Sequence, residues 1–238
     1  METSTLPQSS DRYSPVASPF HTILVLAVLG GVTFWAKIFT DQLTVAANPN
    51  RVRFYMVIVF YEWLLFVFIV AGVRRSGASV LLVLGDHWHS VRQVLRDIGI
   101  ALGFWIVAAA LLWVFSRLLR ISAPAPNVVS ILPHGAIEVT LWVVLSITAG
   151  ICEETIFRGY LQRQFMALTK NAPAGILLSA VAFGAAHAYQ GPRMVILIGL
   201  YGAMFGILAY WRGSVRPGMI AHAWQDSLGG VLGNLMRH

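Results

Sequence analysis

The sequence predicts an all-α fold, a polytopic transmembrane helical bundle of about seven spans (six to eight) with one interfacial helix. Composition, the spacing of apolar stretches and the scatter of charges carry that expectation. Of 238 residues, 57% are hydrophobic and 11% charged, against about 25% charged in an ordinary soluble domain. In water such a chain would expose wide apolar patches, whereas lipid solvates the same surface directly. Seven stretches approach the roughly 20 apolar residues that cross a bilayer, at 20–39, 54–73, 98–116, 135–152, 173–190, 194–211 and 215–235.

Residues 1–19 form a polar tail without the basic start and small-residue cleavage site of a secretory signal, so the first apolar run is expected to stay as a span. The N-terminal transmembrane part, 20–133, holds three spans. Between the second and third, the run at 78–85 followed by HWHSVRQVLRD is too short and too charged to cross, and reads as an interfacial helix. His87 and His89, two apart, cannot share a helix face and go with Trp88 in that segment. Proline-containing turns at 122–133 make the clearest loop. The C-terminal part, 134–238, is rich in small residues, as in GLYGAMFG (199–206) and LGGVLG (228–233), which lets helices approach closely in lipid. By themselves those glycines fit an ordinary packing seam.

The 17 Lys and Arg against 10 Asp and Glu give +7. They fall in pairs between apolar runs, as Arg51/Arg53, Arg74/Arg75, Arg92/Arg96 and Arg117/Arg120 do, which suits membrane loops and not a nucleic-acid stripe. With the N-terminus cytoplasmic, Arg12, Arg74, Arg75, Arg92, Arg96, Arg158, Arg163, Lys170, Arg212 and Arg216 lie inside, against seven basic residues outside. That lean favours this orientation. The single cysteine, Cys152, excludes an intrachain disulfide and reads as a small core residue, not a thiol nucleophile.

Five of the ten acids, Glu62, Glu138, Glu153, Glu154 and Asp226, sit inside or at the ends of apolar runs. An ionisable group there costs at least about 2.5 kcal/mol unless paired or hydrated. Three C-terminal segments each hold an i, i+4 pair on one helix face: Glu154 with Arg158, Phe183 with His187, and His222 with Asp226. Taken singly, each fits a structural salt bridge or a core histidine. Together, three helices carrying such groups point to a shared buried site. The residues leave open whether Glu62 and Glu138 line it or bond between helices.

EETIFRGYLQRQF (153–165), FGAAH (183–187) and HAWQD (222–226) resemble, in order, the EExxxR, FxxxH and HxxxN/D motifs of the CPBP family of intramembrane proteases, which contains the type II CAAX prenyl endopeptidases. The resemblance covers about residues 150–227. It implies proteolysis at the membrane, with Glu153 as the base that activates a water, His187 helping to hold that water, and His222 and Asp226 stabilising the oxyanion. Glu154, Arg158 and Phe183 are implied as supporting residues. Amide hydrolysis needs these parts whatever the family: a base, donors aimed at the developing charge and a cavity that confines water. An ionised Asp226 cannot donate to an oxyanion, so it either keeps a proton, orients His222 or binds metal. The expectation is a reaction without a cofactor. Zinc held by Glu153, His187, His222 and Asp226 is the alternative, although no HExxH spacing is present. The expected partners are the lipid bilayer and a membrane-anchored or lipidated substrate, either a prenylated CAAX-type chain, a leader peptide or a sorting tail. The expected location is a bacterial-type cell membrane, as a multi-pass protein. A non-catalytic membrane binding or immunity protein, or a small transporter, is the alternative class, with the polar cluster serving ligand or proton handling.

Overall fold

The structure, a computed structural model, describes residues 13–46, 49–123 and 125–235. Most of the expected polar tail, Arg12 included, lies outside the described residues. The helices are α1 (Pro19–Val45), α2 (Arg51–Arg75), α3 (Leu81–Leu84), α4 (Val91–Leu118), α5 (Pro126–Ile131) and α6 (Gly135–Glu153), then a π-helical stretch Glu154–Leu161 leading into α7 (Gln162–Thr169). After these come α8 (Ala172–Ala186), a 3-10 turn at Ala188–Gln190, α9 (Pro192–Arg212) and α10 (Arg216–Leu235). No strand occurs among the described residues.

The helix starts are written locally. Ser18, Asn50, Ser90 and Asn171 each accept a hydrogen bond from the backbone N–H three residues on, capping α1, α2, α4 and α8. Proline opens α1, α5, α8 and α9, where a missing N–H costs nothing.

Among the described residues, five helices are long and apolar enough to cross a bilayer: Pro19–Val45, Arg51–Arg75, Val91–Leu118, Gly135–Thr169 and Pro192–Arg212. They coincide with five of the seven expected spans. α8, at 15 residues, reaches only about 22 Å at 1.5 Å per residue. α10 carries Arg216, His222, Gln225 and Asp226 on its 20 residues, so its polarity sets it apart from the five.

Three local expectations need correction. The interfacial helix is a single turn, α3, on which Leu81 is exposed while Val83 is fully buried with its carbonyl against Gly159. The basic residues that follow belong to the first turns of α4, which starts at Val91 and not near 98, because Asp97 there is fully buried against Arg212. The loop expected at 122–133 contains a short helix, α5, docked through Asn127, whose side-chain amide donates to the Tyr189 carbonyl. The span expected at 135–152 runs on as one 35-residue helical segment to Thr169.

α6 and the π-helical stretch form the centre of the molecule. Every residue from Glu154 to Leu161 is buried, among Val25 of α1, Leu65, Ile69 and Val73 of α2, Val83 of α3 and Phe183 of α8. α10 packs along α6 so closely that a side chain on Gly150 would meet the Met219 carbonyl at 2.7 Å, while the Trp142 indole fills the space beside Gly230. Outward-facing Phe34, Phe60, Trp113 and Trp211 are about 70% exposed, the apolar surface a bilayer would cover.

The bundle has two ends. At one, Lys170 donates to the Tyr13 carbonyl, Arg212 pairs with Asp97 at 2.7 Å, and Arg216 lies over the Trp88 ring. At the other, Arg51 donates to the Ser130 carbonyl, Asn234 accepts from the Gly135 N–H, and Arg193 donates to the Arg120 carbonyl.

Candidate active site

Glu153 and Glu154 straddle the junction of α6 and the π-helical stretch, and their surroundings set them apart. The Glu154 side chain is fully buried and its Oε1 accepts from Arg158 Nη1 at 2.8 Å. The i, i+4 spacing read from the sequence therefore closes as an ion pair. Burying a guanidinium requires substitutes for water: Arg158 also donates to the Gly202 carbonyl at 3.3 Å and lies between the rings of Phe183 and Phe205, 4.1 and 4.9 Å from their centroids. Gly218 sits against the same carboxylate, where a Cβ would stand 2.9 Å from Glu154 Oε2.

The His222 ring, 5.4 Å from that of Phe205, holds its Nδ1 3.1 Å from Glu154 Oε1. With Glu154 ionised beside Arg158, Nδ1 is the donor. Its Nε2 then faces two carboxyl groups, Asp226 Oδ2 at 3.5 Å and Glu153 Oε2 at 3.8 Å. α10 is held in register for this by Trp142 Nε1, which donates to the Asp226 carbonyl at 2.7 Å, and by Trp105 Nε1, which donates to Gln225 Oε1 at 2.7 Å.

His187, at the end of α8, donates from Nδ1 to the Phe183 carbonyl at 2.9 Å. That bond fixes the tautomer and leaves Nε2 with a lone pair. Phe183 thus serves twice, through its ring on Arg158 and through its carbonyl on His187.

Glu153 opens on a cavity of about 110 Å³. Its walls come from one face each of α1 (Leu29, Val32, Thr33, Ala36) and α2 (Ile58, Tyr61, Glu62, Leu65), from Ile156 and Phe157, and from Ala186, His187 and Tyr189 at the end of α8. A water occupies about 30 Å³ of liquid, so the space suits a few waters. Glu153 Oε2 has no hydrogen-bond partner. The structure thus joins Glu153, Glu154, Arg158, Phe183, His222 and Asp226 by direct contacts, and brings in His187 as a wall of the same cavity.

The two acids left open in the sequence divide. Glu138 accepts from the His134 N–H at 2.8 Å and lies 3.8 Å from Arg51, an interhelical pairing remote from the cavity. Glu62 lines the cavity. Tyr61 and Tyr189 line it too, and nothing in their sequence positions singles them out beyond the place of Tyr61 next to Glu62. No three His, Cys, Asp or Glu side chains among the described residues are placed to share a metal ion.

Residues 135–228 match the family model of type II CAAX prenyl endopeptidases, Rce1-like. The Rce1-like segment starts with α6, ends in the second half of α10 and contains all seven residues of the site. The three motifs that resemble those of the CPBP family lie within that segment. Together with the apolar helices, it makes the chain an integral membrane protein. No curated protein and no solved structure matches the chain.

Proposed function

We propose that this protein is an intramembrane endopeptidase that hydrolyses a peptide bond of a membrane-associated substrate, a prenylated CAAX-type chain in the first place, through a glutamate-activated water. One observation carries the reading. Of two adjacent glutamates, Glu154 is locked against Arg158, while Glu153 lines a cavity of water size and its Oε2, 3.8 Å from His222 Nε2, makes no hydrogen bond.

In this mechanism the ionised Glu153 takes a proton from a cavity water as the water oxygen attacks the peptide carbonyl. His187, its Nδ1–H committed to the Phe183 carbonyl, accepts from that water at Nε2. His222, with Nδ1 held by Glu154, directs an Nε2 proton towards the developing oxyanion, and Asp226 keeps the ring in place. An Asp at this position thus works through the imidazole, which removes the difficulty that a carboxylate cannot donate.

The test is cleavage of a prenylated CAAX-type peptide by the full-length protein in proteoliposomes. Glu153→Gln should lower kcat at least about 1,000-fold, and His187→Ala and His222→Ala at least about 100-fold each, with insertion and thermal midpoint close to those of the unsubstituted protein. Full activity of Glu153→Gln overturns the mechanism. Chelators should leave the rate unchanged; a loss restored by added zinc would move the base role to a metal-bound water.

A further inference from the structure

Hydrolysis of an amide needs an acid as well as a base, because the departing nitrogen must gain a proton as the C–N bond breaks. The groups already placed have other engagements. His187 Nδ1–H is spent on a carbonyl, and His222 holds Glu154 with one nitrogen and faces Asp226 and Glu153 with the other. Across the cavity, α2 presents Ile58, Tyr61, Glu62 and Leu65 on one face, and the only carboxyl on that face is Glu62. Glu62 is 5% exposed, and its Oε2 has no hydrogen-bond partner. A carboxyl in that position, with no cation on its own wall of the cavity, is costly as structure alone. The titratable groups facing it are Cys152 and Glu153 from α6, His187 at the end of α8, Tyr189 in the 3-10 turn and Tyr61 beside it, with His222 and Asp226 of α10 farther off. The cavity-lining residues of α1 carry none. Glu62 therefore stands across the cavity from the base as a carboxyl that no cation on its own wall holds as a carboxylate.

We propose that Glu62 is the acid of the reaction, donating its proton to the leaving amide nitrogen from the α2 wall while Glu153 acts as base from the α6 wall. The inference rests on the peptidase reading above. The atoms balance: water gives a proton to Glu153 and its oxygen to the carbonyl carbon, the C–N bond breaks, and the nitrogen takes the proton of Glu62. Transfer of the proton from Glu153 back to Glu62 across the cavity resets the pair.

The experiment compares a prenylated CAAX-type peptide with its ester counterpart, in which the scissile amide is replaced by an ester whose alkoxide leaves with far less help from an acid. Glu62→Gln should lower kcat on the amide about 100- to 10,000-fold, with KM changed less than about threefold, and should remove the basic limb of the kcat–pH profile. On the ester it should stay within about tenfold of the unsubstituted protein, and Glu62→Asp should recover part of the amide rate. Glu153→Gln should fail on both substrates. If Glu62→Gln cleaves the amide normally while Glu153→Gln is inactive, the acid role is overturned and the peptidase reading survives. Equal losses on amide and ester also overturn it, in favour of a purely structural carboxyl. Normal cleavage by both variants overturns the peptidase mechanism itself.

Discussion

Arg158 is a cation with almost no access to solvent, 3% exposed, and three elements of the Rce1-like segment contribute to keeping it there. The carboxylate comes from the π-helical stretch, one aromatic ring from α8, and a second ring and a carbonyl from α9. Arg158→Ala would leave the Glu154 charge unpaired in a space it cannot leave. It should cost about 3–5 kcal/mol, read as a drop in the thermal midpoint of the purified protein and as loss of cleavage through a displaced His222. The pairing was legible in the sequence because it is local, four residues along one helix. The rings around the guanidinium were not, since Phe183 and Phe205 lie 25 and 47 residues away and a periodic apolar position looks the same whether it faces a cation or a methyl group.

Among the elements, the π-helical stretch is the least predictable and the most central. Its eight residues are all buried, and π-helical geometry is uncommon and often found at functional sites. Gly159 lies on its outer turn with the Val83 carbonyl of α3 directly against it. Gly159→Ala would push a methyl group into backbone that cannot swing away, and should lower stability by about 1–3 kcal/mol. Gly99→Ala, in α4 with open space around the position, should be neutral or stabilising by up to about 1 kcal/mol, so the difference between the two melting curves isolates the α3 contact. Hydropathy placed α1, α2 and α9 well because their polarity changes where the helices end. It misplaced the start of α4 because Asp97, read as a polar flank, is neutralised from α9 by Arg212 and stays helical. It took α5 for a loop because six residues are too few to show a period.

For the molecule as a whole, the two ends of the bundle differ in charge. Arg74, Arg75, Arg92, Arg96, Arg163, Lys170, Arg212 and Arg216 gather at the end where α1 begins, against Arg51, Arg53, Arg117, Arg120 and Arg193 at the other. Arg158, counted with the loops from the sequence, belongs to neither. The imbalance predicts that the end where α1 begins faces the cytoplasm. In a Cys152→Ala background, Ser76→Cys should react with an impermeant thiol reagent only after the inner face is opened, and Ser122→Cys should react in intact cells. The opposite pattern would reverse the orientation. The number of spans was harder to read than their existence. α8 falls short on length and α10 on polarity, since it carries His222 and Asp226 of the site.

The cavity is small enough to change how its water should be regarded. About 110 Å³ corresponds to three or four molecules at roughly 30 Å³ each, and each turnover would remove one. Under the proposed mechanism these few waters are reactants, and their replacement through the open side of the cavity belongs to the cycle.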